Sequence, residues 1–295
     1  MPISIITVNW NGAEVLPAYL ASLAAQTAPP RETIVVDNGS VDASRRMLDD
    51  AGVRVVALTE NLGFCEPNNL ACSIAIGDAV LLLNNDTAFD PDLIAVLENA
   101  LLQCPEFDLF ACSMRQWADA GLMENAGIGY RRTLSGYQLA RGDKASLWPN
   151  RREVFGPSGG AALIRRRVVD DIGLFDAAFW AYNEDVDFAL RARLAGYRTM
   201  YLPDAIVRHR EGVTARRLGR RKMLLIQRNA EWAMRKNVPR GLQRRYAIAH
   251  AAYILQQTLK NGPAVWAARR EAIRNPRPRY ERQRVTDADF AAWLT

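Results

Sequence analysis

The amino-terminal third of the chain alternates short apolar runs, rich in β-branched residues, with stretches of helical periodicity. This alternation is typical of βαβ units and predicts an α/β protein with a mostly parallel central sheet flanked by helices. The run 79–83 is apolar throughout, which predicts a strand at the sheet centre, covered on both faces. The predicted strands are 3–8, 33–36, 53–58 and 79–83, and the predicted helices are 15–25, 42–50, 68–76 and 90–103, the last with Pro91 in its first turn.

The rest of the chain changes character twice. Residues 117–150 are rich in Gly, Arg and polar residues with weak periodicity, which predicts a variable loop or hairpin region. Beyond them the pattern predicts an apolar ordered run at 161–164, helices at 168–172 and 185–195, and a strand at 199–202 leading to His209. After residue 215 the chain is expected to be mainly helical to about residue 260, with a tail bearing arginine and proline beyond it.

Polar side chains follow the predicted strands where each strand ends. They are Asn9, Asn11, Asp37, Asn61 and Asp86. Because open α/β sheets bind ligands at the carboxyl edge of their strands, these residues predict a binding site at that edge.

Asn84-Asn85-Asp86 directly follows the central apolar run. Asp86 could simply cap the helix that starts close by. We favour a metal site, because hard cations such as Mg²⁺ or Mn²⁺ take oxygen ligands and share them with substrate phosphates.

Glu184 and Asp185 open the predicted helix 185–195, after the aromatic run Phe179-Trp180-Ala181-Tyr182. Acids in a first helical turn are stabilised by the helix dipole and need no function. We favour catalysis, because the aromatic run would form a partly dry wall, and desolvation raises the pKa of a carboxylate toward the range of a general base.

Two further motifs allow either a structural or a functional interpretation. His209 is either a structural histidine or, with Asp86, a ligand that completes the coordination of a divalent ion. Asp37-Asn38-Gly39-Ser40 is either a turn or a site where Asp37 accepts a hydrogen bond from a pyrimidine N–H.

Composition narrows the class of protein. The formal charge is +6, with arginines concentrated after Arg208, which implies an anionic partner: lipid, phosphorylated substrate or nucleic acid. These arginines are either a solvated face or a basic amphipathic surface resting on anionic lipid.

The amino terminus has no basic region ahead of its apolar run, so we expect a cytoplasmic protein. The four cysteines lack metal-ligand spacing, which predicts reduced, partly buried thiols.

The order of the motifs closely resembles family 2 glycosyltransferases of the GT-A fold, in particular the rhamnosyltransferase-like branch of bacterial surface-polysaccharide assembly. The resemblance covers roughly residues 3–235. It is carried by residues 5–12, 35–42, 60–64, 82–87, 159–166, 173–176 and 183–187.

The resemblance implies a role for each candidate residue. Asp86 would be the metal-binding aspartate of a DxD-type motif, with Asn84 and Asn85 in its less acidic positions and His209 as second metal ligand. Asp185, beside Glu184, would deprotonate the acceptor. Asp37 would hold the nucleotide base, with Val8 and Asn9 lining its site, Asn11 at the same edge, and Asn61 and Asn69 near the ribose and diphosphate. The residues expected on the acceptor side are Gly159, Gly160, Trp180 and Tyr182.

The implied reaction is an inverting, Mg²⁺- or Mn²⁺-dependent transfer of a sugar, with dTDP-L-rhamnose as the expected donor and a UDP-sugar as the alternative. The expected acceptor is a glycan or polyprenyl-linked oligosaccharide at the cytoplasmic membrane face. The basic carboxy-terminal helices are expected to contact anionic membrane. No nucleic acid partner is expected, and the protein could form a homo-oligomer.

The expected domains are a catalytic domain over 1–215, divided near residue 110 into donor and acceptor parts, and a helical extension over 216–295. The rivals are a sugar-nucleotide nucleotidyltransferase and a non-catalytic basic protein that binds RNA or membrane.

Overall fold

The computed structural model describes residues 1–210, 212 and 218–295. The predicted boundary between residues 215 and 216 therefore lies outside the described residues. The strands are β1 (Ile3–Asn9), β2 (Glu32–Asn38), β3 (Arg54–Leu58), β4 (Ala79–Leu83), β5 (Thr87–Phe89), β6 (Leu109–Gln116), β7 (Met123–Asn125), β8 (Ile128–Tyr130), β9 (Gly136–Gln138), β10 (Arg152–Val154), β11 (Ala161–Arg165) and β12 (Thr199–His209).

Helices flank the sheet and make up most of the carboxy-terminal region. They are α1 (Leu16–Ala24), α2 (Ser44–Asp50), α3 (Cys65–Ile74), α4 (Leu93–Gln103), α5 (Arg166–Ile172), α6 (Glu184–Leu194), α7 (Arg220–Asn237), α8 (Arg240–Arg245), α9 (Ala247–Asn261), α10 (Ala264–Arg274) and α11 (Asp287–Ala291).

The described residues form one large mixed sheet in the order β10-β12-β6-β11-β4-β1-β2-β3, with β5 paired to β12 and β7 to β6. The first four strands pair in parallel, as the βαβ pattern predicted. The second half is mixed, because β11 runs antiparallel to both β4 and β6. β8 and β9 form a separate antiparallel hairpin within the region predicted as a loop or hairpin.

The central strand β4 is buried along its whole length. Val80 and Leu82 enter the apolar core on one face, with residues of α5 and α6, while Leu81 and Leu83 enter the core under α1 and α4. Because successive side chains of a strand point to opposite faces, a strand covered on both sides must be apolar at every position.

Two helices, α3 and α4, begin three residues away from the predicted start. Helix α3 starts at Cys65, ahead of Pro67, because proline is tolerated in a first turn, where its missing N–H has no helical acceptor. Helix α4 starts at Leu93, after Pro91 rather than around it. The carbonyl of Pro91 accepts a hydrogen bond from the Thr27 N–H, which fixes this residue in the connecting loop.

The carboxy-terminal tail is more helical than predicted, because α10 and α11 lie beyond residue 260. Trp232 and Met234 of α7 and Phe290 of α11 join the same apolar core as the sheet. All four cysteines are free and buried. Among the described residues, no helix is both long enough and apolar enough to cross a bilayer.

Candidate active site

A cavity of about 270 Å³ opens at the carboxyl edge of β1 and β4. It collects residues from both halves of the chain, which the mixed sheet brings to one edge. The predicted site residues that line it are Val8, Asn61, Asn84, Asn85, Asp86, Gly159, Gly160, Trp180, Tyr182, Glu184, Asp185 and His209. The sequence prediction of a binding site at this edge is thus matched by a cavity in which the two acidic motifs meet.

His209 lies beside Asp86 because β12 pairs with β5, so that His209 stands opposite Thr87. The His209 Nε2 is 3.0 Å from Asp86 Oδ1. On its other side, Nδ1 is 2.8 Å from a carboxylate oxygen of Glu124, a buried residue of β7. Burial lowers the pKa of His209, but the hydrogen bonds to the two carboxylates outweigh it and raise the pKa to about 10. The imidazole is therefore fixed at both nitrogens.

Asp86 and His209 could hold a divalent cation, which would take the place of the proton between His209 Nε2 and the Asp86 carboxylate, because only a neutral imidazole binds a metal. Carboxylate oxygen and imidazole nitrogen are suitable ligands for Mn²⁺, and Glu124 on the far nitrogen is the usual second partner of a metal-binding histidine. The described residues contain no cluster of three or more His, Cys, Asp or Glu side chains with the geometry of a metal site. Further ligands would have to come from a bound substrate.

Glu184 and Asp185 begin α6 and line the same cavity. The Asp185 carboxylate accepts hydrogen bonds from the N–H of Gly159 at 3.2 Å and of Val186 at 2.8 Å. Burial raises the pKa of Asp185, against the effect of these N–H donors. Asp185 is only partly buried, so its carboxylate could take a proton from a bound hydroxyl.

Glu184 is more deeply buried than Asp185, and its Oε2 has no hydrogen-bond partner among the described residues. Burial and the charge of Asp185 raise the pKa of Glu184 to about 8. At neutral pH the pair therefore combines a protonated Glu184 with the partly exposed Asp185. Neighbouring carboxyls with different environments are how proteins separate a proton donor from a proton acceptor.

Backbone conformation shapes the segment that leads into α6. Trp180, Tyr182 and Asn183 all have positive φ, at 65°, 70° and 62°. Such conformations are costly for residues other than glycine and persist only where the surroundings hold them. The Asn229 side chain of α7 does so, because its Nδ2 lies 2.9 Å from the carbonyl oxygen of Ala181 and 2.7 Å from that of Tyr182.

The aromatic wall predicted from the sequence carries cations as well. The Arg221 guanidinium lies 4.2 Å from the centre of the Trp180 ring, and the Lys222 Nζ lies 5.5 Å from that of Tyr182. Lys222 also lines the cavity. Sequence reasoning missed it because the basic run after Arg208 carries no local signal that one of its members turns inward.

Three of the residues expected at the nucleotide do not line the cavity, and two of them, Asn9 and Asp37, join a buried hydrogen-bond network. The Asn9 Nδ2 donates to Asp37 Oδ1 at 2.9 Å, and Asn9 Oδ1 accepts from Asn85 at 2.8 Å. The Asn11 side chain accepts from the Val41 N–H. Asn9, Asn11 and Asp37 are therefore not among the residues that face the cavity.

Asn69 also lies away from the cavity. Its side-chain amide makes two hydrogen bonds with the backbone of Phe175, at 2.9 and 3.0 Å, and so joins α3 to the segment before α6. Sequence reasoning missed Asn38, which also lines the cavity and donates to Asn61 Oδ1 at 3.0 Å. The signal for Asn38 was present in the Asp37-Asn38-Gly39-Ser40 motif.

Comparisons with known proteins agree with this arrangement. The model of a family described as glycosyltransferase like family 2 matches residues 1–234. The N-acetylglucosaminyl-diphospho-decaprenol L-rhamnosyltransferase of Mycobacterium tuberculosis is 26% identical over 229 residues, covering 70% of this chain and 75% of that protein.

Two solved structures are similar over most of the chain. TarS of S. aureus in complex with UDP-GlcNAc has a TM-score of 0.61 at 19% identity, covering 91% of this chain and 79% of that one. The mannosyltransferase PcManGT of Pyrobaculum calidifontis, in complex with GDP-Man and Mn²⁺, has a TM-score of 0.59 at 19% identity, covering 98% and 78%. The fold is thus the GT-A fold that the motif order predicted, and the chain belongs to glycosyltransferase family 2.

Proposed function

We propose that this glycosyltransferase moves a sugar from a nucleotide diphosphate to an acceptor hydroxyl in one displacement, with inversion at the sugar carbon. The observation that carries the proposal is that the Asp86–His209 pair and the Asp185 carboxylate line one cavity. A single displacement needs a group that binds the leaving diphosphate on one side of the sugar and a proton acceptor on the other.

Asp185 is the proposed general base. Its two carboxylate oxygens are oriented by the N–H groups of Gly159 and Val186, and its position at the wall of the cavity leaves room for a hydroxyl at hydrogen-bond distance. The acceptor oxygen would attack the sugar carbon as its proton passes to Asp185, and the bond to the diphosphate would break. The raised pKa of Asp185 makes it a better proton acceptor than an ordinary exposed aspartate.

Asp86 and His209 would hold the divalent cation, Mg²⁺ or Mn²⁺. A bound cation would offset the negative charge that develops on the leaving diphosphate. Glu124 orients the imidazole toward Asp86, and Asn84 and Asn85 line the cavity next to it. The presence of Mn²⁺ in the PcManGT complex supports a divalent metal here.

The proposed donor is dTDP-L-rhamnose, with a UDP-sugar as the alternative. The similarity to an L-rhamnosyltransferase supports the rhamnosyl group. The Asn61 side chain lines the cavity and would offer its amide group to a pyrimidine base or ribose, while the buried Asn38 holds Asn61 by donating to its Oδ1. The buried Asn9–Asp37 network lies behind them and would act by positioning this edge of β1 and β2.

The proposed acceptor is a glycan on a polyprenyl diphosphate, made during surface-polysaccharide synthesis. Support comes from the related enzyme, whose name specifies a diphospho-decaprenol acceptor. The wall formed by Trp180 and Tyr182 suits the apolar face of a sugar ring, while Lys222 adds a positive charge to the same cavity. Membership of the glycosyltransferase family argues against the rival nucleotidyltransferase and the rival non-catalytic binding protein.

The test is release of nucleotide diphosphate from a panel of dTDP-, UDP- and GDP-sugars, with acceptor extracts, in Mg²⁺ or Mn²⁺ and again with EDTA. We expect release from a dTDP-deoxysugar and loss of release on chelation. The Asp185→Asn variant should lower kcat by about 10²- to 10⁴-fold while leaving donor binding intact. Asp204→Asn is the matched control, because Asp204 is an exposed aspartate of β12.

Release that EDTA leaves unchanged would contradict the metal assignment. An Asp185→Asn enzyme as active as the Asp204→Asn control would contradict the assignment of the base. A product that retains the configuration of the donor sugar would contradict the single displacement.

A further inference from the structure

Helix α9 carries an apolar stripe on its outer side. Ile248, Leu255 and Leu259 are 88%, 55% and 80% exposed, and Ala252 between them is exposed as well. Their spacing of four, three and four residues places them on one face of the helix over three turns. Large aliphatic side chains exposed singly are ordinary, but a continuous stripe of them marks an interaction surface.

The inner side of the same helix is largely polar. The His250 Nδ1 bonds the Thr133 carbonyl at 2.8 Å, and its Nε2 lies 3.2 Å from the Glu231 carboxylate. Gln257 accepts a hydrogen bond from Gln227 of α7. In a surface helix of a globular protein the apolar face normally packs inward. In helix α9 only the aliphatic Ile254 is buried, beside these polar contacts, while its three other large aliphatic side chains are exposed.

Helix α10 has a similar outer side. Trp266 and Ile273 are 53% and 49% exposed, and Arg270, four residues after the tryptophan, is exposed between them. The neighbouring Arg269 points inward and bonds Glu231 at 2.9 Å. An exposed tryptophan next to arginine is the combination that occupies the interface between lipid headgroups and acyl chains.

The segment that carries these two faces is strongly basic. Residues 240–274 contain one acid, Glu271, which pairs with Arg228. The exposed cations of the same segment are Arg240, Arg244, Arg245, Lys260, Arg270 and Arg274. Contact between two copies through this face would bring the two basic segments together, and like charges repel. Nucleic acid would pair with the cations but has no place for the exposed aliphatic stripe.

We propose that the outer faces of α9 and α10 dock on the surface of an anionic lipid bilayer, with Ile248, Leu255, Leu259 and Trp266 entering the interface and the arginines binding headgroup phosphates. Apolar burial and electrostatic attraction to anionic lipid would add in this mode of binding. The inference extends the proposed function, because it would hold the enzyme at the surface where a lipid-linked acceptor lies. It does not depend on that function, since vesicle binding needs no donor, acceptor or metal.

The test is co-sedimentation of the full chain with vesicles of phosphatidylcholine containing about a third phosphatidylglycerol, compared with phosphatidylcholine alone. We expect binding to the anionic vesicles that weakens at high salt. The double variant Leu255→Gln, Leu259→Gln should bind about tenfold more weakly or worse, because two apolar side chains no longer enter the interface. The matched control is Leu102→Gln, Leu147→Gln, since these leucines are 66% and 64% exposed elsewhere on the surface.

Wild-type protein that stays in the supernatant, or a stripe variant that binds as well as the control, would overturn the proposal. Sedimentation velocity without vesicles supplies the second measurement. Self-association that the stripe variant abolishes, with no vesicle binding, would identify a second copy as the occupant instead. Sugar transfer to a short water-soluble acceptor separates the two proposals. An enzyme that is active but does not bind vesicles would contradict the docking surface alone. An enzyme that binds vesicles but is inactive would contradict the proposed reaction alone.

Discussion

Replacing Glu184 by glutamine tests the electrostatics at the start of α6. The side chain is buried, and its Oε2 has no hydrogen-bond partner among the described residues. A position in the first turn of a helix favours the ionised form of a carboxyl, but burial and the nearby Asp185 charge dominate and raise the pKa from 4.5 to about 8. Glutamine has nearly the same shape and stays neutral at every pH.

The sign of the effect on stability follows from proton binding. Between the unfolded pKa of 4.5 and the folded pKa of about 8, the folded state holds a proton that the unfolded state has released. The free energy of unfolding of the wild type therefore falls as pH rises through this window, by at most about 1.4 kcal/mol per pH unit. From about pH 5 to about pH 8 the loss amounts to at most about 4 kcal/mol, and Glu184→Gln removes it. Because Asp185 is present in both proteins, the difference between their free energies of unfolding measures the contribution of the Glu184 carboxyl.

Urea unfolding followed by circular dichroism at both ends of this window measures the effect. The variant and the wild type should have similar free energies of unfolding near pH 5, and the variant should be the more stable near pH 8. Glu66→Gln is the matched control, because Glu66 is an exposed glutamate in the first turn of α3. If the difference between Glu184→Gln and wild type does not change with pH, the carboxyl is not held protonated by burial and the reasoning is refuted.

Two further substitutions test how the site is held. Glu124→Gln should weaken Mn²⁺ binding by about 10- to 100-fold, because Glu124 orients His209. Calorimetry measures the dissociation constant, and an unchanged value would contradict the role of Glu124 in orienting the histidine. Asp187→Ala should lower the free energy of unfolding by about 3–5 kcal/mol, since it leaves Arg191 and Lys236 buried without their shared carboxylate; a loss well below 1 kcal/mol would contradict it.

The strands β1 to β4 could be predicted because each leaves a local signal. The interior strands β1, β2 and β4 are covered on both faces, so they appear as short apolar runs, and the polar residue after each run marks the ligand edge. The edge strand β3 is partly exposed, and its signal is its β-branched valines. Asp86 and Asp185 also had a local signal, because each stands three residues after the end of an apolar or aromatic run. Both side chains line one cavity, and their roles there stay predictions.

Glu124 could not be predicted, because its position depends on long-range register. It lies on a three-residue strand in a region of weak periodicity, and only the pairing of β7 with β6 and of β6 with β12 brings it to His209. For Asn9 and Asp37 the role at the nucleotide stays a prediction. A polar residue at a strand end can face a ligand or join a buried network, and the sequence pattern is the same in both cases.

Helix α7 lies beyond the predicted catalytic domain, yet it holds the proposed base in place. Its Asn229 bonds the carbonyls of the strained segment before α6. Its Lys236 and Asn237 bond Asp187, one turn into α6, at 3.1 and 2.8 Å. Because Asp185 sits at the first turn of that helix, its distance from Asp86 depends on contacts made by α7. We therefore infer that α7 belongs to the catalytic unit, and that a chain cut before it would lose the geometry of the site rather than an accessory surface.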